Sequence, residues 1–211
     1  MPYGYLGQNQ PNQTVSNSGV FSITDVAELQ SQGKLGGSLE LIAEQTASGT
    51  SATVEFLDNM QENIYDVHLL QISGWQSSDN NRTFILRLYE SGVLESGSVY
   101  QYAYLDMEST GTFTEMRSTA DTLMARFDTA DSYPNPSANI YLYFYNLGNS
   151  SKYSFCNFQY TLFNYLGNYR AGFGGGVLPQ ASLVNGIQIS TQTGNLYGNY
   201  KLFGLKQIWV T

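Results

Sequence analysis

The chain has 211 residues, 42% of them hydrophobic, with 17 tyrosines and 21 glycines, yet Asp, Glu, Lys and Arg together reach only 12% and the net charge is -8. The nine Lys and Arg are spread singly and leave no basic stripe to neutralise phosphates, which argues against nucleic acid as a partner. No apolar run nears the roughly 20 residues of a membrane-spanning helix, so no membrane insertion is expected.

This length accommodates one sandwich or barrel domain with an arm, or one larger β domain, and enough apolar residues to build a core without staples. An ordinary globular chain carries roughly twice this charged fraction. Interface cores are depleted in charge and enriched in aromatics, so the composition points to a surface covered by neighbours. The competing reading is a neutral extracellular-type β protein.

Residues 1–50 read as an N-terminal arm with one short helix. The start, Met1-Pro2-Tyr3-Gly4-Tyr5-Leu6, has neither a basic nor a hydrophobic segment and is not expected to be a secretory signal. Gln8 to Ser18 is polar, contains Pro11 and follows neither period 2 nor period 3.6, as an extended arm would. Tyr3, Tyr5, Leu6 and Val15 are its candidate anchors on a partner. Ser22-Ile23-Thr24-Asp25 offers a capping box for a helix over about 23–32. Val26 and Leu29 supply an apolar stripe, and Gly33 is placed to end it. Gly36-Gly37 marks a joint, and Leu39, Leu41 and Ile42 resume an apolar segment.

From residue 51 to 211 the pattern is strands and turns. Thr53 to Leu57, Ile64 to Ile72, Thr83 to Tyr89, Val99 to Met107 and Leu123 to Phe127 come first. Asn139 to Tyr145, Tyr153 to Leu166, Tyr169 to Leu178, Leu183 to Ser190 and Tyr200 to Val210 follow. Strands at this spacing, with turns between them and no helical pattern, predict an all-β domain, an antiparallel β-sandwich or jelly roll. Two strands carry tyrosine ladders, because successive side chains alternate faces. Tyr100, Tyr102 and Tyr104 share one face opposite Gln101, Ala103 and Leu105. Tyr141, Tyr143 and Tyr145 share another opposite Leu142 and Phe144. Both ladders are candidate subunit-interface strips, with pairing inside one sheet as the alternative.

Chemistry-bearing motifs are scarce. His68 lies two residues from Asp66, so on a strand both point the same way, but Val67 and Leu69 look like the apolar face. That phase sends Asp66 and His68 to solvent, and no Gly-x-Ser-x-Gly elbow supplies a nucleophile. The lone Cys156 permits no intramolecular disulfide and reads as a small buried hydrophobe, in a chain expected to fold in a reducing cytoplasm. One His and one Cys do not make a zinc site, and Asp79-Asn80-Asn81 lacks the pattern of a calcium loop. Asp128 and Asp131 are the nearest approach to a calcium pair. No metal or cofactor is expected. Gly172-Phe173-Gly174-Gly175-Gly176 is followed by Val177-Leu178-Pro179 rather than a helix, so its glycines signal a bulge or close chain approach, not a phosphate loop. Nothing marks a pair of carboxylates for glycoside hydrolysis.

Three stretches invite comparison with a known family. They are Tyr65-Asp66-Val67-His68-Leu69 with Phe84-Ile85-Leu86-Arg87-Leu88-Tyr89-Glu90-Ser91-Gly92; Leu183-Val184-Asn185-Gly186-Ile187-Gln188-Ile189; and Gly198-Asn199-Tyr200-Lys201-Leu202-Phe203-Gly204-Leu205-Lys206. From Glu62 onward the chain resembles virion structural proteins of tailed bacteriophages, particularly those infecting marine bacteria and cyanobacteria. The resemblance implies a jelly-roll module of a tail fibre, baseplate or capsid decoration with no catalytic residues. It implies a non-enzymatic protein of the virion, made in the host cytoplasm and bound to other virion proteins and to copies of itself. A carbohydrate- or receptor-binding module is the alternative, with a host-surface glycan held on Trp75, Trp209 and the tyrosines.

Overall fold

The computed structural model describes residues 39–60, 64–130 and 138–206, and its regular structure is entirely β. The helix expected over about 23–32 lies outside these residues. Eight strands, numbered in chain order, form the larger sheet: β1 (Leu39–Ser48), β3 (Tyr65–Ser77), β6 (Tyr100–Glu108), β7 (Phe113–Asp121), β9 (Ala138–Tyr145), β10 (Ser154–Phe163), β11 (Tyr169–Leu178) and β13 (Leu196–Lys206). Five form the smaller: β2 (Thr53–Leu57), β4 (Arg82–Glu90), β5 (Val93–Leu94), β8 (Ala125–Ala130) and β12 (Val184–Thr191).

The larger sheet runs β1-β13-β3-β9-β10-β11-β6-β7, and the smaller runs β2-β12-β4-β5 with β8 also on β4. Every pairing is antiparallel. The result is a β-sandwich-like pair of sheets around one core. The arm was expected to extend to residue 50, but Leu39–Ser48 pairs with β13 from Leu39↔Leu205 to Ser48↔Tyr197. The sheet therefore begins inside the segment assigned to the arm.

The alternation that builds the core is clearest in β10. Ser154, Cys156, Phe158, Tyr160 and Leu162 are buried, and Phe155, Asn157, Gln159, Thr161 and Phe163 are exposed. Beside it, Ala138, Ile140, Leu142 and Phe144 of β9 point inward. Phe127 of β8 joins the two sheets. It stacks on Phe84 at 4.6 Å within its own sheet and meets Phe158 at 4.7 Å and Tyr160 at 4.4 Å across the core. Tyr100 adds a polar tie, accepting from the Leu88 amide at 3.0 Å and donating to the Glu95 carbonyl at 3.2 Å.

Candidate functional site

The outward side of the larger sheet gathers the exposed aromatics. Register sets them in rows across the strands. Gln71, Tyr141, Gln159, Phe173, Leu105 and Glu115 make one row, and Leu69, Tyr143, Asn157, Gly175, Ala103 and Arg117 make the next. Tyr141 (46%), Tyr143 (41%), Phe155 (43%) and Phe173 (50%) are all partly open to solvent. Tyr145 is half-buried on the same face. This ladder lies outside, as expected, because Ile140, Leu142 and Phe144 take the inner positions of β9.

A shallow depression of about 650 Å³ lies among Tyr141, Tyr143, Asn157, Gln159 and Phe173. A second, of about 750 Å³, continues past Asn157 toward Arg117 and Ser118. The low floor has a local cause. A Cβ on Gly175 would lie 2.8 Å from the Cys156 carbonyl oxygen and 3.0 Å from Asn157 Oδ1, so the strand keeps a bare backbone there. The polar groups lining the first depression are amides and phenols, with no carboxylate, imidazole or thiol among them. The arrangement suits stacking and hydrogen bonding to a neutral surface or ligand rather than proton transfer.

The other ladder faces inward, contrary to the expected outer strip. Tyr100 (0% exposed), Tyr102 (7%) and Tyr104 (6%) are core residues, not an outer strip. Their opposite face carries Gln101, Ala103 and Leu105, a weaker apolar set than three phenol rings, so the tyrosines take the interior. Tyr102 donates to Asp121 Oδ2 at 3.0 Å. Burial first, then the bond to Asp121, raises its phenol above the ordinary range. Tyr104 and Tyr160 stand opposite Gly174 and Gly172 of β11, and a Cβ at either glycine would collide with the facing tyrosine. The pairing of β10 with β11 has no register shift, so this run permits close approach and forms no bulge.

His68 also faces inward. It is fully buried, not solvent-facing, and stands in register between Phe144 and Gly204. Leu70 and Ile72 share its inward phase, while Val67 and Leu69 lie on the outward side with Tyr145 and Tyr143. Neither ring nitrogen has a hydrogen-bond partner among the described residues. Burial lowers its pKa to about 4, so the imidazole is neutral at pH 7. Trp75, expected as a sugar platform, is 1% exposed and packs edge-on against Phe84 at 5.7 Å. Cys156 is buried as expected, and burial pushes its thiol up to about 12.

One polar cluster was not anticipated from the sequence. Arg170 of β11 lies 3.3 Å from Asp106 and 2.8 Å from Glu108 of β6. Tyr160 donates to Asp106 at 3.0 Å and Asn168 to Glu108 at 2.8 Å. The signal was present as two spaced pairs, Asp106-x-Glu108 and Asn168-x-Arg170, at strand ends that pair directly. The cluster ties β6 to β11 at one end of the sheet.

Tyr3, Tyr5, Leu6, Val15, Trp209 and Asp131, with the side chains of Asp66 and Asp128, lie outside the described residues. Among those described, no three His, Cys, Asp or Glu converge as a metal site. No described helix is long and apolar enough to cross a membrane. No protein-family model matches the chain, and no curated protein sequence matches it.

Proposed function

We propose that this chain is a non-enzymatic structural protein of a bacteriophage virion, built into the tail, baseplate or fibre through contacts with other virion proteins and copies of itself. The observation that carries this reading is the broad, charge-poor outer face of the larger sheet, where Tyr141, Tyr143, Phe155, Phe163, Tyr169 and Phe173 are each 41–50% exposed. Soluble monomers rarely leave large contiguous apolar patches uncovered, and rigid phenol rings lose little entropy on docking. The chain resemblance from Glu62 onward supplies the virion setting, with a jelly-roll connection of the two sheets as part of the same proposal. A capsid-decoration role uses the same face.

The test is a triple variant, Tyr141→Ser with Tyr143→Ser and Phe173→Ser, carried by the phage whose virion holds this chain. Incorporation into particles falls sharply while the purified variant unfolds within a few degrees of the parent. A variant incorporated at the parental level contradicts the reading.

The depression at Asn157 and Gln159 favours a second reading, a host-surface glycan. Neither amide has a side-chain hydrogen-bond partner among the described residues, and both sit between exposed rings. Binding of neutral saccharides, lost on Asn157→Ala with Gln159→Ala while particle incorporation persists, identifies that function instead.

A further inference from the structure

Strand β7 ends the larger sheet on the side opposite β1. It pairs with β6 on one side, and no described strand lies along the other. Alternate residues of an antiparallel strand turn their N–H and C=O groups away from the neighbour, so this edge offers a row of unpaired donors and acceptors. Natural edges are usually blunted by Lys, Pro or a bulge. In β7, pairing is regular from Phe113↔Met107 to Ser118↔Tyr102, shifts only beyond Ser118, and the stretch holds neither Lys nor Pro. Glu115 and Arg117 are exposed, and neither has an ion-pair partner among the described residues.

We propose that β7 pairs antiparallel with β7 of a second copy about a two-fold axis at Met116, joining two larger sheets edge to edge. Charge selects this register. A two-fold axis perpendicular to the sheet leaves each side chain on its own face, so the axis must pass midway between a residue and the same residue of the other copy. Centred on Met116, Glu115 of each copy faces Arg117 of the other, Thr114 faces Ser118, and Met116 meets its counterpart. Centred on Glu115, two carboxylates oppose each other; centred on Arg117, two guanidiniums do. Opposite charges directly across a strand pair stabilise it and like charges destabilise it. The β1 edge lacks this complementarity. An axis at Ile42 opposes Glu40 to Glu44, its ladder slips between Leu41 and Ala43, and Glu44 already lies 3.2 Å from Lys201.

This inference deepens the assembly reading by naming the contact between copies, and it is read in solution without particles, so the two fail separately. Sedimentation of the full chain is expected to show a dimer. Glu115→Arg and Arg117→Glu, each alone, weaken it by about tenfold or more. The double variant restores it, because exchanging the two charges sets opposite signs across the axis again. An equimolar mixture of the two single variants forms a heterodimer more tightly than either forms a homodimer. A monomeric parent, or single variants that dimerise as well as the parent, overturns the proposal. Should a charge variant misfold, Met116→Cys reads the register directly. Cβ atoms opposite each other in a strand pair lie near disulfide range, so oxidation gives a covalent dimer. Arg117→Cys does not, and the buried Cys156 stays silent. Cross-linking at position 117 but not at 116 contradicts the axis.

Discussion

Strands β6 and β9 carry the same Tyr-x-Tyr-x-Tyr pattern and use it in opposite directions. In β6 the three rings are buried, and in β9 Tyr141 and Tyr143 are exposed. The tyrosines themselves are not the cause. In β9 the competing face is Ile140, Leu142 and Phe144, and burying such a side chain contributes about 1.5–3 kcal/mol. Those three have no hydroxyl to satisfy. In β6 the competitors are Gln101, Ala103 and Leu105, so the rings win the interior, where the hydroxyls of Tyr100 and Tyr102 find Leu88, Glu95 and Asp121. An amphipathic residue goes where the residues on the other face leave room for it.

The largest effect should come from breaking the buried ladder. Tyr100→Ala removes a fully buried ring and a tie between the sheets, and it should cost about 3–5 kcal/mol. That corresponds to roughly 10 °C in melting temperature for a domain of this size. Chemical denaturation of the variant beside Tyr141→Ala measures it, and equal losses at the two positions would erase the distinction between the ladders.

His68 tests the inner face of β9 from its neighbour, since it stands opposite Phe144. Its folded pKa of about 4 lies below the unfolded value of 6.5. At pH 7 the folded state is neutral and the unfolded state mostly so, and the shift contributes little. As pH falls from about 6.5 to 4 the unfolded state binds a proton that the folded state refuses, so stability drops, by about 3 kcal/mol in all. His68→Leu should remove this part of the slope, and an unchanged slope between parent and variant would show that His68 does not titrate with folding.

Gly174 tests how closely β11 can approach the buried ladder of β6 at Tyr104. A Cβ there collides with Tyr104 and with the Ala103 carbonyl, so Gly174→Ala should destabilise by about 1–3 kcal/mol. Near-parental stability in urea titration would mean that the β6 and β11 backbones can draw apart at this point. The smallest effect belongs to the outer ladder. Tyr143→Ser should change stability by no more than about 0.5 kcal/mol, and its consequence should appear only in association.

Much of the fold was legible because a strand with one buried face writes that face into its sequence with period 2. Thr53–Leu57 and Tyr169–Leu178 have the expected bounds, and Cys156 lies in the core. The strands that escaped are the ones without such a face. Strand β7 is exposed along most of its length on both sides, so Phe113 to Asp121 has no apolar alternation to read, and β1 at the opposite edge is only partly covered. Trp75 and His68 were misplaced for a related reason. Val67 and Leu69 look apolar enough to be inward, yet Leu70, Ile72 and Trp75 hold that position.

Sequence alone determined that residues 51–211 are built of strands and that the chain is poor in charge and rich in aromatics, and the described residues are all β, because composition and period-2 alternation are local properties. Which tyrosines are buried, which way His68 points and which strands become edges were decided only by tertiary structure. Each depends on a competitor elsewhere in the chain. Strand β6 meets β11 some seventy residues later, and β1 finds its place only when β13, from Leu196 to Lys206, returns beside it. A strand's phase is set by the difference between its two faces and by what its partners leave uncovered, and the partners are not its neighbours in sequence.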